Sequence, residues 1–199
     1  MVDVKTSKAL SWLLRHGAQR EGLTILTDGW VPLEEVLNKH NFKKVGIDCV
    51  KKVVANCPKQ RFSLKEEDGQ FFIKANQGHS FQVEHLTLDE ITDGSEASDV
   101  VHGTYHRHWN NIQRQGLSRV NRTHIHFAPG LPGESGVISG MRTSCQIYIY
   151  INLPKALQAG FKFYKSANNV ILCAGNDEGY LPSEYFLKVV DKKTGEDLM

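Results

Sequence analysis

The 199-residue sequence has few cysteines, no long apolar run and no apolar stretch of the kind that opens a secretory signal. The four cysteines form no Cys-x-x-Cys pair and no zinc-like spacing; they are Cys49, Cys57, Cys145 and Cys173. We therefore expect free thiols in a reducing compartment and no bound metal. The longest apolar run, Ile147 to Leu153, has the length of a strand and is too short to span a bilayer. These absences predict an intracellular protein, cytoplasmic or nuclear, with no membrane partner.

Three common ligand-binding motifs are also missing. The sequence has no G-x-G-x-x-G of a dinucleotide-binding Rossmann fold and no G-x-x-x-x-G-K-[ST] phosphate loop. It has no G-x-S-x-G nucleophile elbow. The sequence therefore gives no support to a Rossmann cofactor site, a Walker nucleotide site or an α/β-hydrolase.

Positive charge is concentrated in one segment, although the formal net charge of the chain is only +2. Between Lys39 and Arg61 there are seven basic residues and one acidic residue, Asp48. We expect this segment to contact the backbone of a polyanion through four lysines: Lys43, Lys44, Lys51 and Lys52. A solvated lysine face on a helix is the alternative, and charge alone does not decide between the two.

Apolar spacing predicts three short helices in the first part of the chain. The first is expected to start at an N-cap, Ser7, to end at Gly17, and to bury Leu10, Leu13 and Leu14. A second opens at Val31-Pro32, and a third opens near Asp48 with an inner face of Val50, Val53 and Val54 and an outer face of Lys51 and Lys52.

Two strand-like runs, Arg61–Leu64 and Gln70–Ala75, follow these helices and are joined at Asp68-Gly69. Three short helices followed by a hairpin is the order of a winged helix, which binds nucleic acid as often as it serves as a scaffold. The acidic segment from Asp89 to Asp99 is the expected linker.

Beyond that segment, short strands alternate with two short helices. The expected strands are Val100–Tyr105, His124–Phe127, Cys145–Leu153 and Asn169–Cys173. One helix ends at Gly116, and the other runs from Pro154 to about Ala159. Strands without regular long helices between them favour an α+β fold. We predict two lobes, at residues 1–92 and 99–199.

Arg15-His16, at the end of the first helix, is the first candidate for chemistry. A cationic pair there is explained by the helix dipole alone, but a guanidinium is also the best bidentate partner for a phosphate, and histidine adds a donor. In a winged-helix fold, Arg61 at the start of the hairpin is expected to lie near the end of this helix. The polar segment Ile73–Ser80 suits either ligand contacts or a turn between lobes.

The second lobe offers several polar clusters. His124 and His126 share one face of a strand, but no third metal ligand lies at a suitable spacing. Glycines beside His102 and Ser139 would let a ligand approach the backbone closely. The residues alone therefore indicate a ligand site rich in arginine and histidine, suited to an anion.

Seven segments in family order resemble the RNA 2′-phosphotransferases over nearly the whole chain. They are Ser7-Lys-Ala-Leu-Ser-Trp-Leu-Leu-Arg-His-Gly17, Asp28-Gly-Trp-Val-Pro-Leu33, Lys59-Gln-Arg-Phe62, Ala75-Asn-Gln-Gly-His-Ser80, Val101-His-Gly-Thr104, Arg122-Thr-His-Ile-His-Phe-Ala-Pro-Gly130 and Gly136-Val-Ile-Ser-Gly-Met-Arg142. One departure is Lys74, where several members of that family carry arginine.

This resemblance implies an N-terminal winged-helix RNA-binding lobe and a C-terminal ADP-ribosyltransferase-like lobe that binds NAD. It implies a catalytic tetrad of Arg15, His16, Arg61 and Arg122. The residues expected on the NAD side are His102, Gly103, Thr104, His126, Ser139, Gly140 and Arg142.

The activity that the resemblance implies is removal of the internal 2′-phosphate of spliced tRNA, with NAD consumed and no metal required. The products are 2′-hydroxyl RNA, ADP-ribose 1″,2″-cyclic phosphate and nicotinamide, formed through an RNA-2′-phospho-ADP-ribose intermediate. We expect a monomer. Two alternatives are an ADP-ribosyltransferase that acts on nucleic-acid phosphates and a winged-helix RNA binder without catalysis.

Overall fold

The computed structural model describes residues 3–134 and 136–199, and these contain five α-helices and four small sheets. The chain divides into two compact units, Met1–Thr87 and Leu88–Met199, each with its own hydrophobic core. All the strands of the named sheets pair antiparallel. The mixture of helices with several small sheets agrees with the predicted mixed class. No helix in the described part of the chain is long and apolar enough to cross a membrane.

The first unit begins with α1, Val4–Trp12, which continues without a break into a π-helix, Leu13–Gly17. Asp3, not Ser7, is the N-cap, because its carboxylate accepts from the backbone N–H of Lys5 at 3.0 Å and of Thr6 at 3.2 Å. The predicted cap is therefore wrong, since an acceptor four residues earlier already satisfies the free N–H groups. Ser7 lies buried inside the helix.

The remaining elements of the first unit are β1 (Val31–Pro32), α2 (Leu33–Leu37), α3 (Ile47–Ala55), β2 (Phe62–Glu67) and β3 (Gln70–Ala75). The strands form one sheet in the order β1-β3-β2. Asp68 and Gly69 both have positive φ, 51° and 76°, so the predicted hairpin turn is confirmed. The expected inner face of α3 is confirmed for Val50 and Val53, which are buried.

An ion pair fastens the turn before β1 to β3. Asp28 adopts a positive φ of 63° in the short 3₁₀ helix Thr27–Gly29. Its carboxylate accepts from the Lys74 ammonium and, at 2.7 Å, from the backbone N–H of Thr87. Burial raises the pKa of Asp28, but these hydrogen bonds outweigh burial and lower it overall. The Lys74 ammonium also lies 5.0 Å from the centre of the Trp30 ring, so both contacts of this lysine stabilise the first unit.

The second unit contains nine further strands and two α-helices. The strands are β4 (Asp89–Ile91), β5 (Val101–Thr104), β6 (Leu117–Ser118), β7 (Ile125–Phe127), β8 (Ile147–Ile151), β9 (Phe163–Lys165), β10 (Ile171–Cys173), β11 (Tyr180–Leu181) and β12 (Phe186–Asp191). They form sheets in the orders β4-β9-β10-β7, β12-β8-β5 and β11-β6. The helices, α4 (His106–Gln115) and α5 (Leu153–Gln158), lie where the sequence predicted them.

The predicted linker is wrong, because the segment after Thr87 is folded. Its strand β4 pairs with β9, and Ile91 is buried in the core. A 3₁₀ helix, Gly94–Glu96, follows within a capping box. Asp93 accepts from the N–H of Ser95 at 2.7 Å, and Glu96 accepts from that of Asp93 at 2.8 Å. The small acidic residues that suggest a linker are therefore caps and turn formers.

We expect Lys74→Ala to destabilise the protein by about 3 kcal/mol, because it leaves the Asp28 carboxylate partly buried without its cation. Lys65→Ala in the same sheet is the matched control, since that lysine also contacts the Trp30 ring but pairs with an exposed glutamate, and it should cost about 1 kcal/mol or less. Urea unfolding measures both. The gap between the two variants should be present above the ordinary pKa of a carboxyl group and shrink as the pH falls through the lowered pKa of Asp28. Equal losses at neutral pH would contradict this role.

Candidate active site

A surface pocket of about 600 Å³ in the first unit is lined by Arg15, His16 and Arg61. The structure thus brings three of the four predicted catalytic residues to one place. Lys8 lines the same pocket, and no Asp or Glu of the described residues does. Three side chains of fixed positive charge and an imidazole face a common space, which is an arrangement suited to a phosphate.

Arg15 and His16 lie in the π-helix. A π-helical turn is wider than an α-helical turn, and such turns are frequent at functional sites. The carbonyl oxygen of Arg15 accepts from the Ser80 backbone N–H at 2.9 Å and from the Ser80 hydroxyl at 3.3 Å. A neighbouring chain segment therefore holds the end of this helix in place.

That neighbouring segment is Ala75–Ser80, and it contacts both side chains. The Arg15 Nη2 atom donates to Gln77 Oε1 at 3.4 Å, and the His16 Nδ1 atom lies 3.0 Å from the Ser80 hydroxyl oxygen. Gly78 has a φ of +90°, and a Cβ there would lie 3.4 Å from Arg15 Nε, so the arginine rests against the glycine. The segment thus supports the side chains of Arg15 and His16, a role that the sequence alone does not predict.

Arg61 contacts Cys57, another residue that lines the pocket. Its Nη1 atom donates to Cys57 Sγ at 3.5 Å. Burial raises the pKa of Cys57, but hydrogen bonds from Arg61 and Lys59 and the charge of Arg61 outweigh it, so the pKa is lowered. The backbone carbonyl of Arg61 accepts from the Asn76 N–H at 2.9 Å, which ties Arg61 to the segment that supports Arg15.

In the second unit, a hydrogen bond joins two of the predicted NAD-side residues. His102 Nδ1 lies 2.9 Å from the backbone oxygen of His126, between β5 and β7. Burial lowers the pKa of His102, and this hydrogen bond opposes the shift only in part. At neutral pH the ring is therefore uncharged, with Nδ1–H donating to the carbonyl and Nε2 left as the acceptor.

Two glycines let the loop after Gly136 lie close to these strands. A Cβ on Gly103 would lie 2.9 Å from Cys145 Sγ and 3.2 Å from Met141 Cβ. Gly140 has a φ of +114°, and a Cβ there would lie 2.6 Å from the carbonyl oxygen of Phe127. The structure therefore brings His102, Gly103 and Gly140 to one region. Ser139 is half-buried at the surface of the same loop, whereas Thr104 is buried inside the unit.

Arg122 and Arg142 lie close enough to repel each other. Crowding by protein atoms, followed by the charge of Arg142, lowers the pKa of Arg122, although the residue as a whole is exposed. Among the described residues, neither guanidinium forms an ion pair with a carboxylate. Two neighbouring guanidiniums without such a partner favour a bound anion.

Comparison with known proteins identifies the family of the chain. The family model for RNA 2′-phosphotransferase, Tpt1 / KptA family, matches residues 1–175. The chain is 50% identical over 188 residues to tRNA 2′-phosphotransferase 1 of Danio rerio, covering 92% of this chain and 84% of that protein. It is 48% identical to tRNA 2′-phosphotransferase 1 of Homo sapiens over 92% of this chain and 74% of that protein, and 38% identical to tRNA 2′-phosphotransferase of Saccharomyces cerevisiae over 98% and 86%.

The chain belongs to the RNA 2′-phosphotransferase, Tpt1 / KptA family. The resemblance read from seven sequence segments is thereby confirmed. In this member of the family the predicted tetrad is divided between the units, with Arg15, His16 and Arg61 in the first and Arg122 in the second.

Sequence reasoning missed several residues that shape the first site of this 2′-phosphotransferase family member. Lys8, Trp12 and Cys57 all line the pocket of Arg15. A signal for Lys8 was present, because Val4, Lys8, Ser11 and Arg15 follow i, i+4, i+7, i+11 spacing along one helical face. No sequence signal pointed to Cys57, which comes near through tertiary structure.

Arg119 was also missed, and it holds the loop that carries Arg122. Its Nη1 atom donates to the Arg122 carbonyl at 3.0 Å, and the Arg122 N–H donates to the Arg119 carbonyl at 3.1 Å. Between them Val120 has a φ of +54°, which is rare for a β-branched residue. Arg119 thus positions a strained loop.

The lysines of the basic segment differ from one another. Lys43, Lys44 and Lys52 are exposed, as an RNA-contacting surface requires. Lys51 is half-buried, and its ammonium lies 4.0 Å from the centre of the Phe71 ring, so it is less open to RNA than the other three lysines. The reason is that Phe71 of the hairpin packs beside α3 and attracts the cation.

His124 and His126 do not gather further ligands. His124 Nδ1 lies 2.9 Å from the Thr123 hydroxyl, and His126 Nδ1 lies 3.0 Å from the His124 carbonyl oxygen. Within residues 3–134 and 136–199 no cluster of three or more His, Cys, Asp or Glu side chains is placed to hold a metal ion.

The contact between Arg61 and Cys57 gives a measurable pH effect. Because the thiolate is the reactive form, replacing Arg61 with alanine should raise the pKa of Cys57 and move the midpoint of its alkylation by iodoacetamide to higher pH. Peptide mass spectrometry reports each cysteine separately, and the profile of Cys49 should be the same in both proteins. A Cys57 midpoint that does not move would show that Arg61 does not influence the thiol.

Proposed function

We propose that this chain removes the internal 2′-phosphate from spliced tRNA in an NAD-dependent reaction. The products would be 2′-hydroxyl RNA, ADP-ribose 1″,2″-cyclic phosphate and nicotinamide. The observation that carries the proposal is the grouping of Arg15, His16 and Arg61 in one pocket of a chain whose relatives are named tRNA 2′-phosphotransferases.

The first-unit pocket is the proposed binding site for the 2′-phosphate. Arg15 and Arg61 each offer a planar pair of donors, and a charge-assisted hydrogen bond to phosphate is worth about 1.5 to 3 kcal/mol. Ser80 orients the ring of His16, which adds a third contact to the same phosphate. The exposed lysines Lys43, Lys44 and Lys52 would contact the RNA backbone without reading bases, as expected of a winged-helix lobe.

The second unit is the proposed NAD-binding lobe, similar to ADP-ribosyltransferases. NAD would supply the ribose that accepts the phosphate and the nicotinamide that leaves. The residues fit such a ligand, because Arg122 and Arg142 offer cations to a pyrophosphate, and the close packing at Gly103 and Gly140 holds the loop that carries Arg142. The neutral His102 would accept a hydrogen bond from a ribose hydroxyl.

In the proposed reaction, the arginines position the phosphate and stabilise its charge, and they are not needed to transfer protons. A phosphate dianion is already nucleophilic, so Arg15 and Arg61 need only hold it in the reactive orientation. Charge then develops on the transferring phosphoryl group, and a fixed guanidinium stabilises it. We assign that part to Arg122, which Arg119 holds in place.

The direct test is to mix the protein with NAD and an oligonucleotide that bears one internal 2′-phosphate, and to identify every product by mass. We expect a 2′-hydroxyl oligonucleotide, the cyclic phosphate of ADP-ribose and nicotinamide. An RNA that remains ADP-ribosylated would indicate an ADP-ribosyltransferase, and RNA binding without any product would indicate a non-catalytic binder. Either result would contradict the proposal.

Arg15→Ala and Arg61→Ala should each weaken binding of 2′-phosphorylated RNA by about ten- to a hundredfold, since each removes a charge-assisted contact. Fluorescence anisotropy measures this affinity. The control ligand is the same RNA with a 2′-hydroxyl, whose affinity should change little. Similar losses for both RNAs would show that the arginines serve the fold or the general RNA backbone.

Arg122→Ala should lower turnover by about 10² to 10³ or stop the reaction after ADP-ribosylation, because one stabilising cation is lost from the transition state. The matched control is Arg114→Ala, since Arg114 lies exposed on α4, where its guanidinium donates to Asn110 and Asn111 of the same helix. Single-turnover assays should show the loss in the first variant and near-normal rates in the second. Near-normal turnover of Arg122→Ala would rule out its assignment.

A further inference from the structure

Trp12 presents an indole ring to the same pocket as the proposed phosphate-binding residues. It is 39% exposed, and it is the only aromatic residue among the exposed large hydrophobic residues in the described part of the chain. The ring lines the pocket together with Arg15, His16 and Arg61. The proposed chemistry of phosphate transfer gives this ring no role.

The π-helix determines how the ring lies. Gly17 follows Trp12 by five residues, which is about one π-helical turn. A Cβ on Gly17 would lie 2.7 Å from Cζ3 and 2.8 Å from Cη2 of the indole. Gly17 has no positive φ that would call for glycine, so its lack of a side chain serves to admit the ring. The helix ends at Gly17, as predicted, and the missing side chain there also makes room for Trp12.

The surroundings of the ring are cationic. The guanidinium carbon of Arg20 lies 5.0 Å from the ring centre, and Lys8 lines the same pocket. A planar aromatic surface beside several cations is the combination that single-stranded RNA requires, because its bases stack and its phosphates are anionic. The 2′-phosphate is attached to a ribose, so a nucleobase always lies within one nucleotide of it.

We propose that Trp12 is a stacking platform for a nucleobase that flanks the 2′-phosphate. This inference rests on the proposed function, since it places the phosphate with Arg15, His16 and Arg61. Stacking tolerates every base, because each has a π-face. Trp12 would therefore strengthen RNA binding without selecting a particular sequence at the junction.

The test compares Trp12→Ala, Trp12→Phe and the unchanged protein on two 2′-phosphorylated oligonucleotides. One carries normal bases, and the other carries abasic nucleotides at and beside the phosphorylated position. On the first RNA, Trp12→Ala should weaken binding by about 5- to 150-fold, the loss of one stacked base, and Trp12→Phe should retain most of the affinity. On the abasic RNA, all three proteins should bind about equally.

The matched control is Leu26→Ala, which removes another exposed apolar side chain of the first unit from outside the pocket and should leave both affinities unchanged. If Trp12→Ala loses the same factor on both RNAs, or on neither, the stacking proposal is wrong. A failure of the proposed function looks different, because the unchanged protein would then bind 2′-phosphorylated and 2′-hydroxyl RNA alike.

Discussion

The hydrogen bonds between the π-helix and the segment Ala75–Ser80 are the interaction on which the first site depends. Cationic groups repel one another, so a pocket without acidic lining residues must hold them by contacts with the chain itself. Here the Arg15 carbonyl receives two donors from Ser80, and Gln77 accepts from the Arg15 guanidinium. These contacts preform the proposed phosphate site, so we expect little further ordering on binding.

Much of the fold follows from local sequence signals. Asp68-Gly69 between two strand-like runs predicts the hairpin, and the i, i+3, i+4 spacing of leucines predicts the first helix. The errors come from competition between local options and from long-range pairing. Asp3 caps the helix in place of Ser7, and the acidic stretch that looks like a linker forms a strand because β9 is available to pair with it. Composition carries no information on such distant partners.

The candidate site, like the fold, can be predicted from the sequence only in part. Family segments identify Arg15, His16 and Arg61, and the structure shows that they share a pocket. The residues that hold the predicted site are invisible to motif reading, because they act through backbone carbonyls or through shape. Arg119 donates a hydrogen bond to the carbonyl of Arg122. Gly140 has no side chain and can therefore lie close to the backbone of Phe127. These relations depend on tertiary contacts that spacing along the chain does not encode.

The central claim is that the first unit binds the 2′-phosphate as a dianion through clustered cations. The most direct measurement is a ³¹P NMR pH titration of a 2′-phosphorylated oligonucleotide, free and saturated with the protein. A free phosphate monoester has a second pKa of about 6. The account predicts that this pKa falls by about one unit or more on binding, because neighbouring guanidiniums stabilise the dianion. A bound 2′-phosphate whose pKa equals that of the free RNA would contradict it.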